Sequence, residues 1–87
     1  MPDDVSPETF RPHVGTTFDA SGVVLELTAV TPGLAQPSAP RAEPFTLAFR
    51  GPPGLEQGTH ALVHGVLGEL EIFLVPVAPG QYEAVFN

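Results

Sequence analysis

The sequence contains no cysteine and no lysine, and each absence narrows what the chain can be. Without cysteine there are no disulfides, thiolate zinc ligands or cysteine nucleophiles. Ten Asp and Glu residues against three arginines give a net charge of -7, which repels phosphate backbones and anionic lipid. We therefore expect neither a nucleic acid nor a membrane as a partner.

Long hydrophobic runs are also lacking. No apolar run reaches the ~18–20 residues of a membrane-spanning helix. The acidic start, Met1–Asp4, is unlike a secretory signal, which is basic and then apolar. These features predict a cytoplasmic protein, with export as part of an assembly left open. The 87 residues predict one domain, 1–87, near the lower size limit for a single core, where a partner subunit is a common supplement.

The densest apolar stretch, Glu69–Val77, predicts a central strand because it is short, rich in β-branched and aromatic residues, and bounded by turn residues. With a period of two, one face carries Leu70, Ile72 and Leu74, and the other carries Phe73, Val75 and Val77. Both faces are apolar over the second half of the strand. Each of them therefore needs something to cover it.

Five further strands are predicted at Thr16–Ala20, Val23–Val30, Phe45–Arg50, Gly58–His64 and Tyr82–Phe86. A two-residue loop at Ser21-Gly22 pairs Ala20 with Val23 and Phe18 with Leu25. One face of this hairpin then carries Phe18, Ala20, Val23, Leu25, Leu27 and Ala29.

Two hairpins are predicted to flank the central strand. A five-residue loop, Gly65–Glu69, places His64 beside Leu70. Pro79-Gly80 suits the middle of a type II turn, which pairs the last two strands as Val77 with Tyr82, Val75 with Ala84 and Phe73 with Phe86. Pro76 cannot donate to a strand ladder, so it marks either a bulge or an edge-facing position, and a bulge there would shift this register by one residue.

The remaining segments are a polar start and a long loop. Residues 1–5 are expected to be loosely held, and Pro7 suits a short helix that Pro12 stops, with Phe10 and Val14 on the sheet. Residues 31–44 contain four prolines and predict a long connection, which is either a tolerated variable loop or a functional one. The sum predicts an all-β, mainly antiparallel fold, a six-stranded meander forming a small barrel or a two-layer sandwich.

The candidate chemical groups predict no enzyme. His60 and His64 lie four residues apart, which on a strand is about 13 Å and too far to share one metal ion. Glu69 and Glu71 lie about 6.6 Å apart on one strand face, a separation seen in glycosidases, but no polar cluster accompanies them. We predict no catalytic residue, no cofactor and no metal site.

The second face of the C-terminal hairpin predicts a protein interface. Its residues are Phe73, Val75, Val77, Tyr82, Ala84 and Phe86. If Phe10 of the N-terminal helix covers this face, the chain is a self-sufficient monomer. If not, the patch implies association, and the last strand also offers an edge for pairing with another chain.

Three segments resemble a small, uncharacterised bacterial family of domains of unknown function. They are Gly68–Val77 with Tyr82–Asn87, the spaced set Phe10, Pro12, Val14, Gly15 and Phe18, and the set Phe45, Leu47, Phe49, Gly51 and Pro52. No catalytic residues are assigned to that family. The resemblance implies an accessory or structural role beside phage-tail-like or fibre proteins.

Together these features predict a non-enzymatic structural or protein-binding module. It would act as a homo-oligomer or as an accessory subunit of a larger assembly. The alternative is a small barrel that binds an apolar small ligand, which requires an empty interior.

Overall fold

The computed structural model describes residues 7–32 and 44–86. A helix, α1 (Pro7–Phe10), and one 3-10 turn (Arg11–His13) come first. Six strands follow: β1 (Thr17–Ala20), β2 (Val23–Pro32), β3 (Phe45–Arg50), β4 (Gly58–His64), β5 (Gly68–Ala78) and β6 (Gln81–Phe86). They close into an antiparallel barrel in the order β1-β2-β3-β6-β5-β4. The predicted all-β fold with a short N-terminal helix is confirmed, in its barrel form.

The strand order differs from a simple meander at one connection. β1–β3 form one three-stranded unit, the N-terminal unit, and β4–β6 form another, the C-terminal unit. The two units join through β3–β6 and β1–β4, so β3 and β4 are not neighbours. The connection between them, residues 51–57, begins with Gly51-Pro52-Pro53-Gly54, whose prolines cannot donate to a ladder. A tight hairpin is therefore not formed there.

The same connection closes one end of the barrel. Tyr82 in β6 donates its hydroxyl proton to the Pro52 carbonyl, at 2.8 Å, and accepts a hydrogen bond from the Leu55 N–H, at 3.1 Å. The Gly51 N–H donates to the Gly80 carbonyl at 2.9 Å. These bonds tie the end of β3 to the β5–β6 turn.

The β1–β2 hairpin has the predicted register, with Ala20 opposite Val23 and Phe18 opposite Leu25. The inward face is as predicted up to Leu27, but a bulge lies between Leu27 and Ala29. Because the extra residue reverses the alternation, Val30 packs on the core where Ala29 was expected.

The end of β2 and the start of β3 bound the loop that was predicted at 31–44. β2 runs on to Pro32, which pairs with Phe45, so the start of the predicted 31–44 loop is strand. The rest of that loop up to residue 43, and the predicted loose N-terminus at 1–5, lie outside the described residues.

The observed β4–β5 register differs by two residues from the predicted one, which paired His64 with Leu70. His64 pairs with Gly68 and Leu62 with Leu70, so the loop is the shorter Gly65–Leu67. Gly68 has a φ of 80°, which makes the tighter turn accessible. The shift is even, and the inward and outward faces are therefore unchanged.

The β5–β6 register is shifted by one residue from the direct prediction. A bulge lies between Pro76 and Ala78, Pro76 pairs with Tyr82, and Val75 pairs with Glu83. This is the outcome expected for a bulge at the proline. Gly80 has the predicted positive φ, 77°.

Side chains from all six strands and the helix fill the interior. The buried hydrophobic residues are Phe10, Phe18, Ala20, Leu25, Leu27, Phe45, Leu47, Phe49, Leu62, Ile72, Leu74, Tyr82 and Ala84. Phe10 closes the second end of the barrel, with its ring centroid 6.0 Å from that of Phe45 and 6.1 Å from that of Phe86. The expected anchor Val14 is instead 44% exposed, because the chain becomes extended at that residue.

No helix within residues 7–32 and 44–86 is long and apolar enough to cross a membrane.

Candidate functional site

The structure divides the six predicted interface residues between two sides of the barrel wall. Tyr82 and Ala84 are each 1% exposed and belong to the core, and Phe86 is half-buried against it. Phe73 and Val77 are exposed on the outside. The prediction that all six share one face is wrong, because the bulge beside Pro76 turns Tyr82 and Ala84 inward.

The same shift turns Val85, which is not among the predicted interface residues, to the outside. Phe73, Val77 and Val85 are 51%, 50% and 56% exposed, and Val75 is half-buried. Phe73 and Val85 lie on the outer surface, each two residues from the Val75–Glu83 pair. We call Phe73, Val75, Val77 and Val85 the outer patch. A bulge at Pro76, which was one of the two alternatives for that residue, is the feature of the sequence that could have identified Val85.

The predicted free edge of the last strand is absent from the described barrel. β6 pairs with β3 over six positions, from Phe45–Phe86 to Arg50–Gln81, and with β5 on its other side. With both of its edges paired, β6 offers no free edge to which another chain could add a strand.

A cleft adjoins the outer patch. It has a volume of about 240 Å³ and is lined, among others, by Thr28, Arg50, Val77, Gln81 and Glu83. Thr28 lies at the β2 bulge and donates its hydroxyl proton to the Ala48 carbonyl, at 3.1 Å. The cleft is thus a mixed polar and apolar depression, and its lining also includes the core residues Phe49 and Tyr82.

The charges around the outer patch are negative. Glu83 faces Val75 across the β5–β6 ladder, and Glu71 lies two residues before Phe73 on the outer side of β5. Neither glutamate forms an ion pair with another described residue. Both arginines in the described part of the chain, Arg11 and Arg50, are already paired, with Glu8 and Glu26.

The predicted glutamate pair, Glu69 and Glu71, is exposed along β5. Across the ladder Glu69 faces Val63 and Glu71 faces Ala61. No polar side chain brackets the two carboxylates from the facing strand, and they lie on the solvent side of the wall.

The two histidines of β4 are bound by different parts of the molecule. His60 donates from Nε2 to the Glu56 carbonyl, at 2.7 Å. His64 is 5% exposed and packs on Phe18, with ring centroids 4.5 Å apart, and on His13, 4.6 Å apart. Within residues 7–32 and 44–86 no three His, Asp or Glu side chains are grouped so that they could hold a metal ion.

Both ring nitrogens of His64 are occupied. Nδ1 accepts hydrogen bonds from the N–H groups of Val66 and Leu67, at 3.0 and 3.1 Å. The proton of the neutral ring is therefore on Nε2, which donates to Thr16 Oγ1 at 2.9 Å. The Thr16 hydroxyl in turn donates to the His13 carbonyl. His64 thus binds the β4–β5 turn to the segment that follows the helix.

The surroundings of His64 disfavour its charged form. Burial lowers the pKa of His64 below its ordinary value of 6.5, and the neighbouring His13 lowers this pKa further. A protonated Nδ1 could also no longer accept the hydrogen bonds from the N–H groups of Val66 and Leu67. The partners of His64 are Thr16 and backbone amides, and no carboxylate is among them.

Comparison with known proteins identifies the chain as a family member. The family model described as "Domain of unknown function (DUF6916)" matches residues 5–86, so the chain belongs to that family. The resemblance to an uncharacterised family is confirmed. No curated protein and no solved structure matches the chain.

Proposed function

We propose that this member of an uncharacterised family is a non-enzymatic structural or protein-binding module, and that the outer patch is its binding surface. It acts as a homo-oligomer or as an accessory subunit of a larger assembly, for which the family resemblance suggests a phage-tail-like or fibre-associated one. The observation that carries the proposal is the group of exposed apolar side chains, Phe73, Val77 and Val85, beside the half-buried Val75.

The barrel does not need these side chains for its core. The inward positions of β5 and β6, Ile72, Leu74, Tyr82 and Ala84, are buried without any help from the outer patch. Apolar surface left in water favours association by roughly 25 cal/mol for each Å² that a partner covers. Clustered apolar side chains on one wall, as opposed to scattered ones, are typical of interaction sites.

The alternative, a barrel for an apolar ligand, has less support. Its interior is occupied by aromatic and aliphatic side chains from every strand. The cleft of about 240 Å³ opens on the outside and is lined in part by Arg50 and Glu83, which suit a polar contact better than an apolar molecule.

Co-purification with a matched pair of variants tests the proposal. Phe73→Ser removes the largest side chain of the patch, and Val24→Ser removes an equally exposed apolar side chain, 53% against 51%, from the N-terminal unit. We expect an associated protein, or a second copy, to be recovered with the wild type and with Val24→Ser. Recovery with Phe73→Ser should fall at least tenfold.

Solution mass separates the two forms of the proposal. A mass that rises with concentration for the wild type, but not for Phe73→Ser, supports the homo-oligomer. A strict monomer at high concentration excludes self-association and leaves the accessory subunit. Equal recovery of partners by all three proteins would show that the patch is not the binding surface.

A further inference from the structure

The outer patch is too small to form an interface alone. A stable interface covers about 800 Å² and about 20–30 residues on each partner. The patch has four side chains, of which Val75 is half-buried. Any partner that covers Phe73 and Val75 must therefore also cover their outward neighbours, Glu71 along the strand and Glu83 across it.

These neighbours make the border of the patch acidic. Glu71 and Glu83 have no ion pair among the described residues, so their charges are available to a partner. Arg50 lines the same cleft as Glu83, but its Nη2 lies 2.7 Å from Glu26 Oε1. The nearest described cation is thus already neutralised.

A second copy of the chain fits this surface poorly. Each copy carries a net charge of -7, and pairing patch with patch would bring Glu71 and Glu83 of both copies to one contact. Like charges brought together in an interface cost several kcal/mol. Arg or Lys at the border of a partner would instead pair with these carboxylates and speed association.

We infer that the outer patch binds a different protein, whose contact surface combines apolar side chains with Arg or Lys at its border. This inference rests on the proposed function and names the partner class for the same surface. Apolar contacts at Phe73 and Val85 would supply affinity, and the carboxylates of Glu71 and Glu83 would select the partner.

A charge-reversed copy of the chain provides a defined probe. The double variant Glu71→Lys/Glu83→Lys retains the apolar side chains and has a basic border, which is the chemistry inferred for the partner. The matched control, Glu8→Lys/Glu56→Lys, has the same net charge, with its lysines at exposed sites on the helix and on the 51–57 connection. Circular dichroism first checks that each variant is folded.

Sedimentation of mixtures then measures association. We expect the wild type to bind the Glu71→Lys/Glu83→Lys protein at least tenfold more tightly than it binds itself or the control. Phe73→Ser in either component should weaken the mixed complex at least tenfold, and added salt should slow its formation.

Two outcomes would overturn the inference. If the wild type binds itself through Phe73 as tightly as it binds the lysine variant, the partner is a second copy, and the proposed binding surface stands. If the mixture does not associate, or associates no better than the mixture with the control, the border does not select a basic partner. The proposed function is then judged separately, by whether Phe73→Ser loses co-purified protein.

Discussion

The N-terminal and C-terminal units share a design but differ on their outer surfaces. Each is a three-stranded meander whose middle strand has a bulge, between Leu27 and Ala29 in β2 and between Pro76 and Ala78 in β5. Each contributes buried side chains of similar kind to one core. The interior of the barrel is therefore built by the two units in the same way.

Outside, the contrast is clear. The outward positions of β1 and β2 include Asp19, Glu26 and Thr28, with Val24 as an isolated apolar residue. The C-terminal unit exposes Val63, Val66, Phe73, Val77 and Val85. Closing a barrel constrains the inward residues alone, and the N-terminal unit shows that a polar exterior is compatible with it. The apolar exterior of the second unit is therefore not required for closing the barrel, which supports the proposed interaction surface.

The two joints between the units also differ. β3 and β6 pair over six positions, whereas β1 and β4 pair at Asp19–Val63 alone. At the second joint, side chains compensate for the short ladder: the His64 ring packs on Phe18 and its Nε2 donates to Thr16. This joint depends on a titratable group.

Truncation inside the barrel should have the largest effect, and an equal one in the two units. Leu27 in β2 and Leu74 in β5 are both 0% exposed. We expect Leu27→Ala and Leu74→Ala each to lower the free energy of unfolding by about 2–5 kcal/mol, because each leaves a cavity in a packed core. Urea denaturation followed by circular dichroism measures both. A loss confined to one variant would contradict the equivalence of the two interiors.

Adding a methyl group at Gly80, beside the point where β3 and β6 join the two units, should have the next largest effect on stability. A Cβ on Gly80 would lie 2.7 Å from the Gly51 carbonyl oxygen, whereas a Cβ on Gly22 would meet nothing within 4 Å. Both glycines have positive φ, 77° and 93°, so backbone strain is common to the two changes. We expect Gly80→Ala to lower the free energy of unfolding by about 1–3 kcal/mol more than Gly22→Ala. Equal losses in thermal unfolding would show that the clash is relieved.

Acidification should weaken the β1–β4 joint. The pKa of His64 is below 6.5 in the folded state, so the unfolded chain binds more protons once the pH falls below about 6.5. The free energy of unfolding should therefore decrease from that pH downward and be unaffected by this group above it. Urea denaturation between pH 7.5 and 5.5, a range above the ordinary carboxyl pKa values, measures the slope. His64→Gln should flatten it, and His60→Gln, on the same strand, is the comparison variant.

If the free energy of unfolding of His64→Gln depends on pH as steeply as that of the wild type, a group other than His64 causes the pH dependence. The direction matters as well. A protein that gains stability as the pH falls from 6.5 would mean that the charged imidazole is preferred in the folded state, contrary to its two N–H contacts at Nδ1.

The smallest effect on stability is expected on the outer surface. Phe73→Ser and Val24→Ser each change a side chain that is about half exposed, and each should alter the free energy of unfolding by about 1 kcal/mol or less. Association should distinguish the two variants, since Phe73 belongs to the outer patch and Val24 does not. A large loss of stability in Phe73→Ser would show that this ring stabilises the barrel, and the two outer surfaces would then no longer differ in the way described.

Local patterns were sufficient for much of the fold. Phe45, Leu47 and Phe49 alternate along a predicted strand and are all buried, and Ser21-Gly22 predicted the register of the first hairpin. The turn at Pro79-Gly80 and the short helix before Pro12 also follow from local chemistry. These features depend on neighbours in the chain, which the sequence displays directly.

The candidate site was less accessible from the sequence. Pro76 predicted the place of the bulge, but not which of two registers results, and that choice decides whether Tyr82 or Val85 faces outward. Val14 was expected on the sheet, but it lies where the 3-10 turn ends and β1 has not yet begun, and it is exposed. The partners of His64, Thr16 and the 65–67 turn, lie on elements that only the closed barrel brings together.

The strands, most of their inward faces and the acidic character could be derived from the sequence, because period, turn residues and charge are properties of short segments. Three other features depend on the closed barrel. They are the place of β6 beside β3, the outward direction of Val85 with the inward direction of Tyr82, and the burial of His64 against Thr16. Each of these depends on which distant strands pair and in what register, and long-range pairing is set by the closure of the whole barrel.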